Sequence, residues 1–488
     1  MTVQRGSVGR TDFVERFGLW SDEQAEAAKR MTKTIDEHGL EIVRFVFPDQ
    51  HGILRGKAIL ADSVGQALAN GVTMTTTLLV KDTSHRTVFP VWTSGAGIDM
   101  EEMVGAGDFM LVADPATFKV LPWAPDTGWV LCDIYFQTGA PVPFATRNMM
   151  RTALSDLAGR GFDYVSGFEC EFHVFRMDDP KMEPEHGTQP ATPPDVSLLW
   201  HGFNYLTEIR QDEMEGPLAL IRRTLVALDL PLRSVEVEFG PSQCEVTFHP
   251  GNGLQTPDMV VLFRSAVKQI CRRNGYHATF MCKPALPNIF SSGWHLHQSL
   301  VSRENGANAF MPKTENEPLS TLGQHFLAGL IEHALPASAF STPTINGYKR
   351  FRPHTLAPDR VAWGRDNKGT MLRVLGRPDD PASRIENRVG DPAANPYLYL
   401  TSQILCGLDG IDRKLTLPAA TDTPYEADAP MLPASLIDSV AALKQSDFFR
   451  GELGDLVVDW FVTIKEAEIA RFLSEVTDWE QREYFEIF

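Results

Sequence analysis

FECEFHVF (168–175) reads as a two-faced β-strand. Glu169 and Glu171 stand two apart, so on a strand both side chains point to one face while Cys170 and Phe172 point to the other. Two carboxylates side by side on an apolar strand repel each other strongly unless a cation lies between them. Taken alone, the pair fits a solvent-exposed strand face as well as it fits a metal site.

Three further segments share this alternation. VEVEFGPSQCEV (235–246) carries Glu236, Glu238 and Glu245 around a Gly-Pro turn. SSGWHLHQSL (291–300) puts His295 and His297 on one side of a strand. RIENRVGDPAANPYLYL (384–400) does the same with Arg384, Glu386 and Arg388. Each has an ordinary explanation in isolation: a structural histidine, or a charged strand face. Four such strands together point to one acidic, histidine-bearing site. Hard oxygen ligands with imidazole and no thiolate cluster suit Mg²⁺ or Mn²⁺ better than structural zinc. Arginines near such ions suggest phosphoryl transfer, where charge on the transferring oxygens must be neutralised. No GxxxxGK[ST] loop and no kinase motif set occurs in the sequence.

Outward from these strands, the chain divides in two. The opening ~35 residues have helical spacing and read as a leading helix. EIVRFVFPDQHGILRGKAI (41–59) reads as a strand pair about a turn at Asp49 to Gly52. VFPVW (88–92), DFMLVADPATFKVLPW (108–123) and WVLCDIYF (129–136) read as further strands. Beyond them come a helix, RNMMRTALSDLAGRG (147–161), and long amphipathic helices over 215–230 and 258–275. The expected fold class is α+β, with a small, mostly β domain over 1–142 and a large catalytic domain over 143–488, consistent with 488 residues exceeding one core.

With 63 acidic against 45 basic residues, the formal charge of -18 argues against a broad nucleic-acid or anionic-membrane surface. The six cysteines are scattered without CxxC spacing, which suits a reducing cytoplasm rather than a disulfide framework. MTVQRGSVGRTDF (1–13) is too polar for a signal peptide, and no apolar run is long enough to span a bilayer.

In order, the strand ExE, GPxQxE, GxHxHxSL, NxYKRxxP and RxExRxxDPxANPYL segments resemble those of the glutamine synthetase family in its bacterial class I form, over nearly the whole chain. The resemblance implies a β-grasp-like N-terminal domain and a catalytic domain built on an antiparallel sheet, or partial barrel, with helices. It implies one metal held by Glu171, Glu238 and Glu245, and a second by Glu169, His295 and Glu386. His297 and Ser299 would sit beside ATP. Arg373, Arg384 and Lys368 would meet its phosphates, Lys368 standing where the family usually has arginine. Arg350 and Arg388 would hold the substrate carboxylate and the phosphoryl group. Asp49, in FPDQHG (47–52), resembles the aspartate that reaches a neighbouring subunit's active site. The implied reaction phosphorylates the side-chain carboxylate of glutamate and captures the acyl phosphate with an amine. The implied assembly is a homo-oligomer of stacked hexameric rings, a dodecamer, with active sites between subunits.

Two departures bear on the amine. Phe290, Ser291, Ser292 and Gly293 stand where ammonia-using members carry NGSG, and Leu356, in RFRPHTLAP (350–358), stands where they carry a guarding glutamate. An apolar residue there suits a bulky or already neutral amine, and Trp294, Phe290 and Leu356 are the expected walls of its pocket. The expected product is a γ-glutamyl amide of an organic amine, aromatic amines included. The alternatives are a glutamine synthetase using ammonium and a non-catalytic homologue.

Overall fold

The computed structural model describes residues 12–488, and Met1–Thr11 lie outside the described residues. Residues after them form two helices, Phe13–Phe17 and Asp22–His38, where a single leading helix was expected. The break falls at Gly18, whose left-handed φ of 59° ends the first helix. Ser21 and Gln24 then start the second with a capping box.

By its contacts the chain forms two compact units. The first comprises residues up to Asp49, Ile53–Leu79 and Phe89–Asn148. Its strands are β1 (Ile42–Pro48), β2 (Leu54–Leu60), β3 (Val72–Thr75), β4 (Asp108–Ala113), β5 (Lys119–Leu121) and β6 (Ala124–Phe136). They form one sheet in the order β2-β1-β6-β4-β3, with β5 also on β6. β6 is central because its Trp129–Ile134 run is buried on both faces, and β2, with mostly exposed side chains, is an edge. Arg147 ties Asp133 (2.9 Å) to Asp114 (2.7 Å) inside this unit. The expected strand at VFPVW does not form. Pro90 lacks an N–H for a ladder, and its carbonyl accepts from Thr93 N–H at 3.0 Å, bending the chain.

The second unit comprises Gln50–Gly52, Val80–Val88 and Met149–Phe488. Its strands are β7 (Phe162–Asp179), β8 (Asp195–Ser197), β9 (Leu232–Val237), β10 (Gln243–Phe248), β11 (Gly251–Asn252), β12 (Tyr276–Thr279), β13 (Trp294–Ser302), β14 (Trp363–Arg365), β15 (Leu372–Leu375) and β16 (Arg384–Gly390). The main path runs β14-β15-β16-β13-β7-β10-β9, nearly closing on itself as a barrel-like sheet, and β8, β11 and β12 also pair with β7. All these pairs are antiparallel except β14–β15. Helices and sheet together make the mixed α and β architecture that the sequence indicated.

One face of β7 is core. Phe168 stacks on Phe248 with ring centroids 4.7 Å apart, and Phe172 stacks on Phe280 at 4.9 Å. Phe263, from the helix Gln255–Arg273, meets all four rings edge-on or tilted. Alternation therefore turns Glu169 and Glu171 to the opposite face. A buried polar chain backs the sheet on its core side: Tyr164 Oη donates to Gln298 Oε1 (2.9 Å), while Gln298 Nε2 (3.2 Å) and Asn387 Nδ2 (2.7 Å) both donate to Gln403 Oε1. It pins β7, β13 and β16 to the helix Pro396–Asp412, and so fixes their mutual register. The six cysteines are all buried thiols, and no helix among the described residues is long and apolar enough to cross a membrane.

Replacing Gln403 by Leu keeps its shape but orphans two buried amide donors, at roughly 1–3 kcal/mol each. The Q403L protein should unfold at clearly lower urea concentration than wild type; an unchanged midpoint would mean the polar chain does not hold the sheet.

Candidate active site

The rows across the sheet decide which charges meet. On β7, Glu171 lies opposite Glu245 of β10, which in turn lies opposite Glu236 of β9. One rung along, Glu169 faces His295 of β13. His297 faces Glu386 of β16, and Glu386 faces Arg373 of β15. Six strands thus bring acids, imidazoles and guanidiniums to one face.

Two triads emerge: Glu169, His295 and Glu386, and Glu171, Glu245 and His295, each with ligand atoms within 4.8 Å of one another. His295 Nδ1 is 3.5 Å from Glu169 Oε2 and 3.8 Å from Glu386 Oε1, while its Nε2 is 4.0 Å from Glu171 Oε1. The first triad is the set that the family motifs imply. In the second, His295 completes the group, and Glu238 belongs to neither. Glu238 follows the end of β9 and accepts a hydrogen bond from the N–H of Phe239 at 3.0 Å.

Arginines surround the acids. Arg373 Nη1 donates to Glu386 Oε2 at 2.9 Å and also grips Asp366, and Arg388 Nη1 pairs with Glu386 Oε1. Arg384 Nε donates to His297 Nδ1 (3.0 Å), whose Nε2 lies 3.1 Å from Glu169 Oε1. Arg350, just after the turn Gly347–Lys349, donates to the carbonyl of Arg388 (2.8 Å) and approaches His295 Nε2 (3.4 Å). Ser299 is buried on β13, two residues beyond His297 on the same face. Lys368 is exposed in the turn between β14 and β15. Asp49 belongs to the first unit, where its carboxylate accepts from Ile53 N–H (3.0 Å) and Arg55 Nε (2.6 Å).

Burial and the charge of Glu171 push the Glu238 carboxyl up to about 8. Glu245 is pushed well upward for the same two reasons. Burial would also raise Glu386, but the positive charge around it, Arg388 first, outweighs burial and holds the carboxyl at about 2. Burial, then Arg388, pushes His295 down, favouring the neutral imidazole that metals bind. Carboxylates that resist ionising side by side, next to a neutral imidazole, are a donor set that fits divalent cations.

Two expected pocket walls are not there. Trp294 is fully buried on the core face, edge-on to Tyr399 (5.1 Å), because its neighbour His295 faces the acids and strand alternation turns Trp294 away. Leu356 is 63% exposed with φ 58°, and its carbonyl, not its side chain, faces Arg388 Nη2 (3.4 Å). Two residues carry weight that sequence reasoning did not give them. Gly293 donates its N–H to Glu171 Oε2 (2.7 Å), and a Cβ there would come 2.4 Å from Arg350 Nη2, so only glycine lets that guanidinium lie against the strand. Gln243 Oε1 accepts from Gly240 N–H (2.9 Å), while its Nε2 donates to Ser291 O (3.2 Å) and Ser292 Oγ (2.9 Å). The signal for both was the fixed Gly-x-His and Gln-x-Glu spacing beside known acids.

Residues 144–484 match the catalytic domain of glutamine synthetase. The chain belongs to the glutamine synthetase family. It is 42% identical to a γ-glutamylanilide synthase of Acinetobacter sp. over 498 aligned residues, covering 98% of this chain and 99% of that one. It is 32% identical to the γ-glutamylethanolamide synthetase GlnA4 of Streptomyces coelicolor, covering 92% and 93%. A solved complex of GmaS with ADP superposes at a TM-score of 0.78 with 27% identity, covering 93% of this chain and 99% of that one. The two-triad face therefore sits in a family of ATP-dependent ligases that use divalent metals.

The Glu238 carboxyl binds its proton more tightly folded than unfolded. Between the ordinary carboxylate range and about 8 the folded state therefore holds more protons, and stability falls as pH rises. Metal-free protein should melt lower at pH 8 than at pH 6.5, with the slope flattened in E238Q and by millimolar Mg²⁺. A slope unaffected by either change would contradict this electrostatic account.

Proposed function

We propose that this protein is an ATP-dependent carboxylate–amine ligase that joins glutamate to an organic amine, aromatic amines included, as a γ-glutamyl amide. The observation that carries the reading is the pair of triads meeting at His295 on one sheet face, ringed by Arg350, Arg373, Arg384 and Arg388. The amide product is favoured by the likeness to γ-glutamylanilide synthase and γ-glutamylethanolamide synthetase, which extends over nearly the whole chain.

In this reading Glu171, Glu238 and Glu245 hold one divalent ion, and Glu169, His295 and Glu386 hold the other. Oxygen donors favour Mg²⁺ or Mn²⁺. Bound there, the ions neutralise charge between the nucleotide's phosphates and the substrate carboxylate. Arg373, Arg384 and Lys368 receive the phosphates of ATP, with His297 and Ser299 alongside; the ADP held by GmaS supports a nucleotide site on this fold. Arg350, flat against Gly293, and Arg388 orient the substrate carboxylate. The γ-phosphoryl passes to that carboxylate, the amine attacks the acyl carbon, phosphate leaves, and the nitrogen gives up a proton. An arylamine is neutral at physiological pH and needs no acid to strip it beforehand, which suits a loop bearing Leu356 in place of a carboxylate. Asp49 is assigned to the active site of a neighbouring subunit, within a dodecamer of stacked hexameric rings. The protein is assigned to the cytoplasm.

The test is phosphate release from ATP with glutamate and Mg²⁺, screened against ammonium, ethylamine and aniline, with products identified by mass. A γ-glutamyl amide formed at higher kcat/KM from an organic amine than from ammonium is expected; turnover with ammonium alone would overturn the amine assignment. Glu386→Gln and Glu245→Gln should each cost more than the roughly 10–100-fold in metal affinity or activity that follows loss of a group merely orienting a ligand. Full activity in either would remove that carboxylate from the site.

A further inference from the structure

An exposed aromatic cluster lies beside the acids, built from three separate segments. Phe203 is 49% exposed and Phe239 42% exposed, with their ring centroids 5.3 Å apart. Phe239 in turn meets Phe290 edge-on at 5.0 Å. Large apolar side chains left in water cost hydration free energy, and rings grouped at a polar site mark a place where something else covers them.

The cluster is held in place, not a chance meeting of loops. The N–H of Leu199 donates to Ser242 Oγ at 2.7 Å, tying the 199–207 loop to the turn that carries Phe239. Trp200, buried in the same loop, lies under the Arg210 guanidinium at 5.5 Å. Gln243 bonds both Gly240 and the Ser291–Ser292 backbone and hydroxyl, joining the turn to the segment that carries Phe290. Gly240 has no room for a side chain: a Cβ there would come 2.6 Å from Phe290 Cβ. Glycine at 240 therefore lets Phe290 sit directly on the turn.

Its position relative to the chemistry is equally specific. Phe239 is the residue whose N–H bonds the Glu238 carboxylate. Phe290 begins the short segment that ends at Gly293, where Glu171 is hydrogen-bonded and the Arg350 guanidinium lies. Tyr205, on the same loop as Phe203, has its hydroxyl pushed up to about 12 by partial burial and then by the charges of Glu238 and Glu245.

We propose that Phe203, Phe239 and Phe290 form the cradle that grips the hydrocarbon ring of the amine substrate and directs its nitrogen toward Glu238. This rests on the amide-ligase reading and adds to it the residues that select an arylamine over a short alkylamine. Edge-to-face contacts with three rings reward an aromatic ring more than a two-carbon chain, and ammonium brings no hydrocarbon surface to pack against them. Phe290 thus has a positive role at a position where the ammonia-using pattern has a polar residue.

The experiment measures KM and kcat for aniline and for ethylamine, at saturating ATP and glutamate, in wild type, Phe239→Ala, Phe203→Ala and Phe239→Trp. The KM ratio of aniline to ethylamine should rise about tenfold in F239A, rise less in F203A, and return toward wild type in F239W, which keeps a ring. An unchanged ratio in both alanine variants, in an enzyme that still makes the anilide, would overturn the cradle and leave the ligase reading standing. Altered oligomeric state with an unchanged ratio would overturn it too, assigning the cluster to contact with a second copy. Absence of amide from every amine in wild type would overturn the ligase reading itself.

Discussion

Mutual repulsion among carboxylates on one sheet face is the constraint around which the second unit is built. β7 places Glu169 and Glu171 two residues apart, and pairing with β10 and β16's neighbour β13 brings Glu245, His295 and Glu386 to the same face. Such a set is stable only where cations balance it. Arg373 and Arg388 clamp Glu386, a neutral His295 stands between the triads, and the remaining charge is left for ions that are not part of the chain. Much of the surrounding structure serves to hold this arrangement against its own repulsion: the aromatic core behind β7, the Gln403 polar chain, and the backbone N–H groups of Gly293 and Phe239 that each neutralise part of a carboxylate.

Most of this face was legible in the sequence because a strand's period is two. Glu169 with Glu171, His295 with His297, and Arg384 with Glu386 and Arg388 could be assigned to shared faces from spacing alone. The family, the mixed fold and the triad of Glu169, His295 and Glu386 followed from the order of those motifs. What periodicity does not carry is which strand lies next to which, and how loops return. That is why His295 emerges near Glu171 as well as Glu169, and why Glu236 falls into the row of Glu171 and Glu245.

The same limit explains the errors. Trp294 looked like a pocket wall because it neighbours the histidines in sequence, yet adjacency on a strand means opposite faces. Leu356 marks a missing acid, but its exposed side chain depends on a left-handed backbone that no pattern announces. VFPVW had strand composition, and one proline removed the donor a ladder needs. The aromatic cluster was half visible, through Phe290. Its partners Phe203 and Phe239 arrive from loops distant in sequence, joined by Ser242 and Gln243.

Sheet register brings both triads to the β7 face, and each is proposed to take one cation. Anomalous diffraction from crystals grown with Mn²⁺ tests it most directly. Two separate peaks are expected, one among Glu169, His295 and Glu386 and one against Glu171 and Glu245. No peak on this face, or manganese bound only elsewhere, would contradict it.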